Sequence, residues 1–157
     1  MNNPMNQLID EFEQGGEKLR QAIKGLTEAD LKAFPIPGTW SIQQIVIHLQ
    51  DADLVGVDRM KRLIAEENPL LIGYNETLFT QKLQYHEQSV AHAVTLFDLA
   101  RKQLTVVLRT LSPEAFQRSG IHNEVGKVTL GTQIKKYNEH LEHHLSFIRK
   151  KRAMLGR

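Results

Sequence analysis

Apolar positions in the first part of the chain recur at three- and four-residue spacings, the period of one helix face. Over residues 4–24 this pattern predicts an amphipathic helix, whose weakest point is a pair of adjacent glycines. A second helix is predicted over residues 41–66, because Ser41 and Gln44 form a capping box and an Asn-Pro pair ends the pattern. The apolar positions are Leu8, Phe12, Leu19, Ile23, Leu26, Ile42, Ile45, Val46, Leu49, Met60, Leu63 and Ile64.

The second half of the chain shows the helical period twice more. We predict a short helix near 76–84, a third long helix over 88–111, and a last long helix that begins at Thr129 and continues past Ile148. The stretch 121–128, centred on a glycine, is expected to be a loop or a small hairpin. The apolar positions are Val90, Val94, Phe97, Leu104, Val107, Leu108, Leu111, Leu130, Ile134, Tyr137, Leu141, Leu145 and Ile148.

Four long amphipathic helices without a convincing strand run predict an all-α fold, a four-helix bundle with short extra helices. The connection between the second and third long helices is the longest, and it permits a parallel pair with a crossover, although the pattern alone leaves that open. The chain has 157 residues, so we expect one bundle domain over residues 1–157.

Charge and composition narrow the chemistry. The formal net charge is only +2, which gives no general reason to expect nucleic-acid binding. The chain has no cysteine, so any metal site must use histidine and carboxylate ligands. The N-terminal residues lack the pattern of a secretory signal, and no apolar run is long enough to span a membrane. We therefore expect a cytoplasmic protein.

Two histidines near the end of the last helix are spaced for shared metal binding. His140 and His144 lie four residues apart, which places them on one helix face with Cβ atoms roughly 6 Å apart. The alternative is that they are ordinary cationic or neutral residues near a helix C-terminus.

A third histidine lies on the second predicted helix. His48 falls in register with Ile45 and Leu49, close to the face expected to point into the bundle. Taken alone, His48 is better explained as a core histidine bonded to a backbone carbonyl. Together with His140 and His144 it forms a three-histidine set, which leaves coordination positions open as catalytic sites do.

Helical spacing also suggests residues that support such a site. Asp51, Gln44 and Tyr137 lie three or four residues from a proposed ligand, so each is a candidate to orient a ligand ring. The alternatives are a solvated charge for Asp51 and a core aromatic ring for Tyr137. Arg59 lies eleven residues after His48, about 16 Å along the same face, where it is a candidate to bind a substrate carboxylate.

For several residues the sequence also allows a role outside the proposed site. For Arg59 the spacing also fits a surface ion pair with Asp58 or Glu66. Among the other histidines, His122 falls in the predicted loop and is an undecided neighbour of the site. The three expected on the surface are His86, His92 and His143.

Five segments occur in a fixed order along the chain and together form a recognisable pattern. They are Pro37-Gly38-Thr39-Trp40-Ser41-Ile42-Gln43-Gln44, His48-Leu49-Gln50-Asp51, Glu67-Asn68-Pro69-Leu70, Tyr74-Asn75-Glu76, and Tyr137-Asn138-Glu139-His140-Leu141-Glu142-His143-His144. The pattern resembles the DinB/YfiT-like family over about residues 30–148. It differs at Ile47, where relatives can carry a second histidine.

The resemblance implies an up-down-down-up four-helix bundle that forms homodimers and holds a divalent metal with His48, His140 and His144. Members of the family are described as metal-dependent hydrolases, and others as transferases of low-molecular-weight thiols such as bacillithiol. We therefore expect one divalent ion per chain, zinc or nickel, which activates a thiol or water for attack on a small molecule. Catalytic roles are expected for Asp51, Tyr137 and Arg59.

A different class of function is also compatible with the sequence. The alternative to an enzyme is a non-catalytic metal-binding module in stress or regulation, in which the basic segment Arg149-Lys150-Lys151-Arg152 contacts an acidic partner. The simpler explanation of this segment is a set of cations that stabilise a helix C-terminus.

Overall fold

The computed structural model describes residues 4–157. Seven α-helices and three short strands lie in this part of the chain, together with two 3-10 turns at Tyr85–Glu87 and Pro113–Gln117. The helices are α1 Pro4–Glu13, α2 Gly15–Ile23, α3 Glu28–Lys32, α4 Ile42–Ala65, α5 Glu76–Lys82, α6 Val90–Leu108 and α7 Leu130–Met154. The strands are β1 Leu70–Leu71, β2 Ser119–His122 and β3 Gly126–Thr129. No helix among the described residues is long and apolar enough to cross a membrane.

The α1–α2 segment is the first helix of a four-helix bundle and runs parallel to the last helix, α7. Near one end the Asn138 side chain donates a hydrogen bond to the Leu8 carbonyl. Near the other end Arg152 donates to the Ala22 carbonyl. The chain therefore advances in the same direction along both helices.

The two middle helices run in the opposite direction. Arg109 at the end of α6 pairs with Asp10 on α1, whereas Arg20 on α2 pairs with Asp98 earlier on α6. Helix α4 is parallel to α6, since its first half shares one apolar cluster with the first half of α6 and its second half shares another with the second half. The order is up-down-down-up, which confirms the predicted topology and the crossover.

The first predicted helix differs from the structure, because it is broken at Gln14 into α1 and α2. The break precedes Gly15 and Gly16, which lie so close to the Arg101 and Asp98 side chains that a β-carbon at either position would overlap with them. The glycines therefore allow α6 to approach, and their low helix propensity favours the break at this place.

The second and fourth bundle helices begin as predicted. Ser41 and Gln44 form the capping box of α4, and Thr129 caps α7. The 121–128 stretch is part of a hairpin of β2 and β3, which was one of its two predicted alternatives. The parallel pairing of β1 with β2 was not predicted, because two residues are too few to show the alternation of a strand.

A buried ion pair lies between the two apolar clusters of the core. Arg101 donates to Asp53 through Nε at 2.5 Å and Nη2 at 2.9 Å, and neither side chain is more than 1% exposed. The guanidinium also lies 4.4 Å from the ring centroids of Phe12 and Phe97, and it donates to the Tyr137 carbonyl. This pair connects α4, α6 and α7 at mid-height of the bundle.

Candidate metal centre

The three histidines singled out in the sequence meet in the structure between α4 and α7. His48 is fully buried, and its Nε2 lies 3.1 Å from Nε2 of His140. One ring nitrogen from each of His48, His140 and His144 falls within 4.8 Å of the other two. Nitrogens bound at 2.0–2.1 Å around a tetrahedral zinc ion are about 3.3 Å apart, so the arrangement fits a single divalent ion.

Local sequence explains why the rings converge. The Ser41 cap fixes where α4 begins, and from there His48 falls on the buried face between Ile45 and Leu49. Trp40, immediately before the cap, covers the cluster: its ring centroid is 4.9 Å from that of His48. The same indole is stacked nearly parallel to the His144 ring at 6.2 Å.

Burial keeps these histidines neutral. It lowers the pKa of His48 to about 3, of His140 to about 4 and of His144 to about 3, and repulsion between the rings contributes to each shift. Neutral imidazole is the form that coordinates a metal. The Nδ1 atoms of all three are buried without a hydrogen-bond partner among the described residues. The cluster is therefore ready to bind a cation near neutral pH.

The lowered pKa values make stability depend on pH in the metal-free protein. In the unfolded chain these histidines titrate near 6.5, so between about pH 4 and 6.5 the unfolded chain binds more protons than the folded one. The free energy of unfolding is therefore expected to fall as pH falls through this window. Denaturant unfolding of chelated protein at about pH 7, 5.5 and 4.5 measures it.

Two variants isolate the histidine contribution. His48→Gln should make the pH dependence shallower, whereas His92→Gln, at an exposed position on α6, should leave it as in the parent. An unfolding free energy that stays constant over this pH range in the parent would contradict the assignment.

The residues expected to orient the ligand rings are hydrogen-bonded to other groups in the structure. Asp51 accepts a hydrogen bond from the Tyr85 hydroxyl at 2.7 Å. Gln44 accepts from the Ser41 amide in the capping box. Tyr137 contacts His140 only ring to ring, at 6.3 Å, and its hydroxyl is bonded to Arg59. Helical spacing placed these residues near the ligands but could not show the competing partners.

Arg59 is buried, contrary to the ion-pair interpretation. It is 5% exposed and donates hydrogen bonds to the Tyr137 hydroxyl and to the Ile72 carbonyl. Asp58 and Glu66, its expected partners, are instead paired with Arg62. The Nε of Arg59 has no hydrogen-bond partner among the described residues.

The remaining histidines divide in three ways. His92 and His143 are exposed, as expected. His86 was expected on the surface but is half-buried, with its Nε2 2.8 Å from the Ser41 hydroxyl. His122 is buried on β2, where its Nδ1 accepts a hydrogen bond from the Glu124 amide. Burial, followed by the charges of Arg59 and Lys136, lowers the pKa of His122.

The carboxylate nearest to the centre was not predicted from the sequence. Glu76 Oε2 lies 3.7 Å from Nε2 of His48, and the side chain is 57% exposed. Glu76 is the first residue of α5, and Asn75 caps that helix by accepting from the Leu78 amide. The Asn-Glu cap signature was visible in the sequence, but its distance from His48 depends on the crossover between α4 and α6.

One cavity adjoins the cluster directly, a second lies next to it on the other side of Glu76, and Glu76 lines both. The first has a volume of about 580 Å³ and mostly apolar walls. The second, of about 520 Å³, is more polar. The first is lined by residues that include His140, His144, Ile36, Trp40, Phe147 and Lys151. The second is lined by residues that include Arg59, Tyr74, His122, Glu124 and Lys136. The site thus offers separate spaces for an apolar and a polar reactant.

The bundle and its histidine cluster agree with a known protein family. The family model of the DinB superfamily matches residues 11–148, a range that reaches into all four bundle helices. The chain belongs to the DinB superfamily. Within that superfamily it is 29% identical over 144 residues to "Putative metal-dependent hydrolase OB0782" of Oceanobacillus iheyensis, covering 92% of this chain and 83% of the relative.

Other DinB-like relatives include YfiT of Bacillus subtilis, which carries the same type of name. It is 26% identical over 149 residues, covering 94% of this chain and 84% of YfiT. The solved YfiT structure, described as an unusual four-helix bundle, matches with a TM-score of 0.91 at 24% identity, over 99% of this chain and 91% of that one. A mycothiol-dependent maleylpyruvate isomerase matches with a TM-score of 0.71 at 13% identity, over 92% and 60%. The structural matches establish the fold.

Proposed function

We propose that this protein is a metal-dependent enzyme that acts on a small molecule. The observation that carries the proposal is the cluster of three neutral histidines, two of them buried and one half-buried, beside an apolar cavity that shares Glu76 with a second, polar cavity. The names of the curated relatives support a metal dependence. When bound, a zinc- or nickel-like ion supplies Lewis acidity, which lowers the pKa of a thiol or a water molecule toward neutrality.

Within this class we favour transfer to a low-molecular-weight thiol over hydrolysis. The polar cavity carries Arg59, Lys136 and His122 as well as the carboxylates of Glu76 and Glu124, and this mixed-charge lining suits a thiol that carries both carboxylate and amino or hydroxyl groups. The apolar cavity suits an electrophilic second substrate. The likeness to a mycothiol-dependent enzyme agrees with this assignment. One zinc or nickel ion per chain and a homodimer remain predictions.

Glu76 is the group best placed to accept a proton in this reaction. Its carboxylate faces His48 at 3.7 Å and borders both cavities, so it lies where the two reactants meet. The thiol proton passes to Glu76 as sulfur attacks the electrophilic carbon, and Glu76 then returns the proton to the leaving group. Arg59 holds the carboxylate of the polar reactant, and Tyr137 positions Arg59.

The basic test is a screen for thiol consumption with metal-loaded protein. We expect a low-molecular-weight thiol to be consumed together with an electrophilic substrate, and we expect chelation to abolish the activity. Consumption that is unaffected by complete removal of the metal would contradict the proposal. Release of product without thiol consumption would favour hydrolysis.

Glu76→Gln is expected to lower kcat by roughly 10²–10⁴-fold, because it removes a proton acceptor but keeps the shape of the side chain. Metal content should be unchanged, as measured by elemental analysis. The matched control is Glu139→Gln, since Glu139 is an exposed carboxylate next to His140 that contacts Lys135. Parent-like kcat in Glu76→Gln would exclude Glu76 as the proton acceptor.

Arg59→Gln is expected to reduce kcat/KM for a carboxylate-bearing thiol by roughly 10- to 100-fold, the usual worth of a charge-assisted hydrogen bond. Metal content should again be unchanged. Arg62→Gln is the control, because Arg62 lies on the same helix but is exposed and paired with Asp58 and Glu66. If kcat/KM is the same in Arg59→Gln and in the parent, Arg59 has only a structural role.

The non-catalytic alternative has less support. Its acidic partner was expected to bind the basic segment at residues 149–152, but only Arg149 and Lys150 are exposed. Lys151 is buried, and Arg152 donates hydrogen bonds to the Ala22 and Lys24 carbonyls. The segment mainly attaches the end of α7 to the bundle and presents no continuous basic surface.

A further inference from the structure

A lysine is buried in the wall of the apolar cavity. Lys151 is 2% exposed and lies on α7 seven residues after His144, about 10 Å further along the helix axis. It shares the helix face of the two α7 histidines, since seven residues are almost two turns. Long helical side chains lean toward the helix N-terminus, which for Lys151 is the direction of the histidines.

The ammonium group of Lys151 has no counter-charge among the described residues. It donates to the Thr39 hydroxyl at 2.5 Å, and that hydroxyl donates in turn to the Ile36 carbonyl. Within residues 4–157 no carboxylate forms an ion pair with it. Burial lowers the pKa of Lys151, and no neighbouring charge opposes that shift. A buried cation of this kind costs free energy unless an anion joins it.

The other residues that line the cavity indicate which kind of molecule carries the anionic group. Ile36, Trp40 and Phe147 make the walls apolar, which suits an aryl or alkyl body. Glu76 lines the cavity and lies beside His48, so in the metal-free protein a carboxylate at that end is repelled, whereas at the other end it meets Lys151. An acidic molecule in the cavity is therefore oriented with its carboxylate on Lys151 and its other end toward the histidines.

We propose that Lys151 is a specificity-determining residue that binds the carboxylate of an aryl- or alkyl-carboxylate substrate in the apolar cavity. The proposal rests on the proposed function in one respect: the reactive carbon of that substrate is the end placed at the histidine centre. A single ammonium group matches the single negative charge of a carboxylate. The second reactant then occupies the polar cavity.

Trp40 makes the binding directly measurable, because it is the one tryptophan in the chain and lines this cavity. The experiment titrates metal-loaded protein and chelated protein with 3-phenylpropionate and with its uncharged amide, following tryptophan fluorescence. In both forms the parent should bind the carboxylate at least tenfold more tightly than the amide. The chelated form matters because it removes direct coordination of the carboxylate by the metal.

Lys151→Met should weaken carboxylate binding by roughly 10- to 100-fold in the chelated form and leave amide binding unchanged. Lys151→Gln, which keeps a polar side chain, should behave in the same way if Lys151→Met fails to fold. Lys151→Arg should retain the preference for the carboxylate. Arg149→Met, which removes an exposed charge two residues away, is the control and should match the parent.

Three results would overturn the proposal: parent-like preference in Lys151→Met or Lys151→Gln, equal affinity of the parent for both probes, or no binding of either probe. The fluorescence titration measures binding and does not need turnover. Its result is therefore independent of the result of the thiol-consumption screen. A protein without thiol-consuming activity that prefers the carboxylate through Lys151 would refute the transferase reaction alone. Activity without that preference would refute the role of Lys151 alone.

Discussion

Replacing His48 with alanine is expected to lower divalent-metal affinity by more than about 100-fold, beyond the usual cost of losing a residue that merely supports a ligand. The reason is geometric. His140 and His144 lie on one helix, and the ring from α4 fixes the ion between the two helices. Calorimetric titration with zinc and with nickel measures the affinity, and turnover in the thiol screen should be lost.

Two further variants make this prediction specific. His92→Ala removes an exposed imidazole and should bind metal as the parent does. Combined His140→Ala and His144→Ala should abolish binding while the far-UV circular dichroism stays helical, because the apolar clusters remain intact. Parent-like affinity in His48→Ala would mean that the three-histidine assignment is wrong.

Arg101→Met is expected to destabilise the protein by roughly 3–5 kcal/mol, because it leaves the Asp53 carboxylate buried without its partner. The loss includes the hydrogen bond to the Tyr137 carbonyl and the contacts with the Phe12 and Phe97 rings. Urea unfolding, with the midpoint and slope both fitted, measures the change.

A second variant separates the charge from the packing. Adding Asp53→Leu to Arg101→Met removes both charges and should recover much of the lost stability, since apolar replacement of a complete buried pair is often tolerated. The surface control is Arg20→Met, whose contacts with Glu17 and Asp98 leave it about half exposed, so it should cost less than about 1 kcal/mol. A loss of that small size in Arg101→Met would contradict the prediction.

Local features of the sequence predicted the parts of the fold that depend on neighbours along one helix. The Ser41 capping box and the Thr129 cap were predicted correctly, because both halves of each motif lie within four residues. The placement of His140 and His144 on one helix face could be predicted for the same reason, because the two residues are only four positions apart. The break at Gln14 could be anticipated only as a weakness, since its cause is the approach of α6.

Features that depend on the packing of distant segments were missed or misassigned. Arg59 was assigned to the surface as one alternative, because nothing in its own helix shows that Tyr137 and the Ile72 carbonyl surround it. Glu76 reaches the cluster only through the chain crossover. Lys151 was grouped with three neighbouring cations in the sequence, although the side chains alternate between solvent and the interior around the helix.

The separation of the ligands along the chain has a consequence for biosynthesis. His48 and His140 are 92 positions apart, and α7 is the last of the four bundle helices to be synthesised. A nascent chain that has exposed α4 but not α7 carries one of the three proposed ligands. The proposed three-histidine site is therefore complete only after α7 leaves the ribosome, and stable metal binding at that site would report that the whole bundle has been assembled.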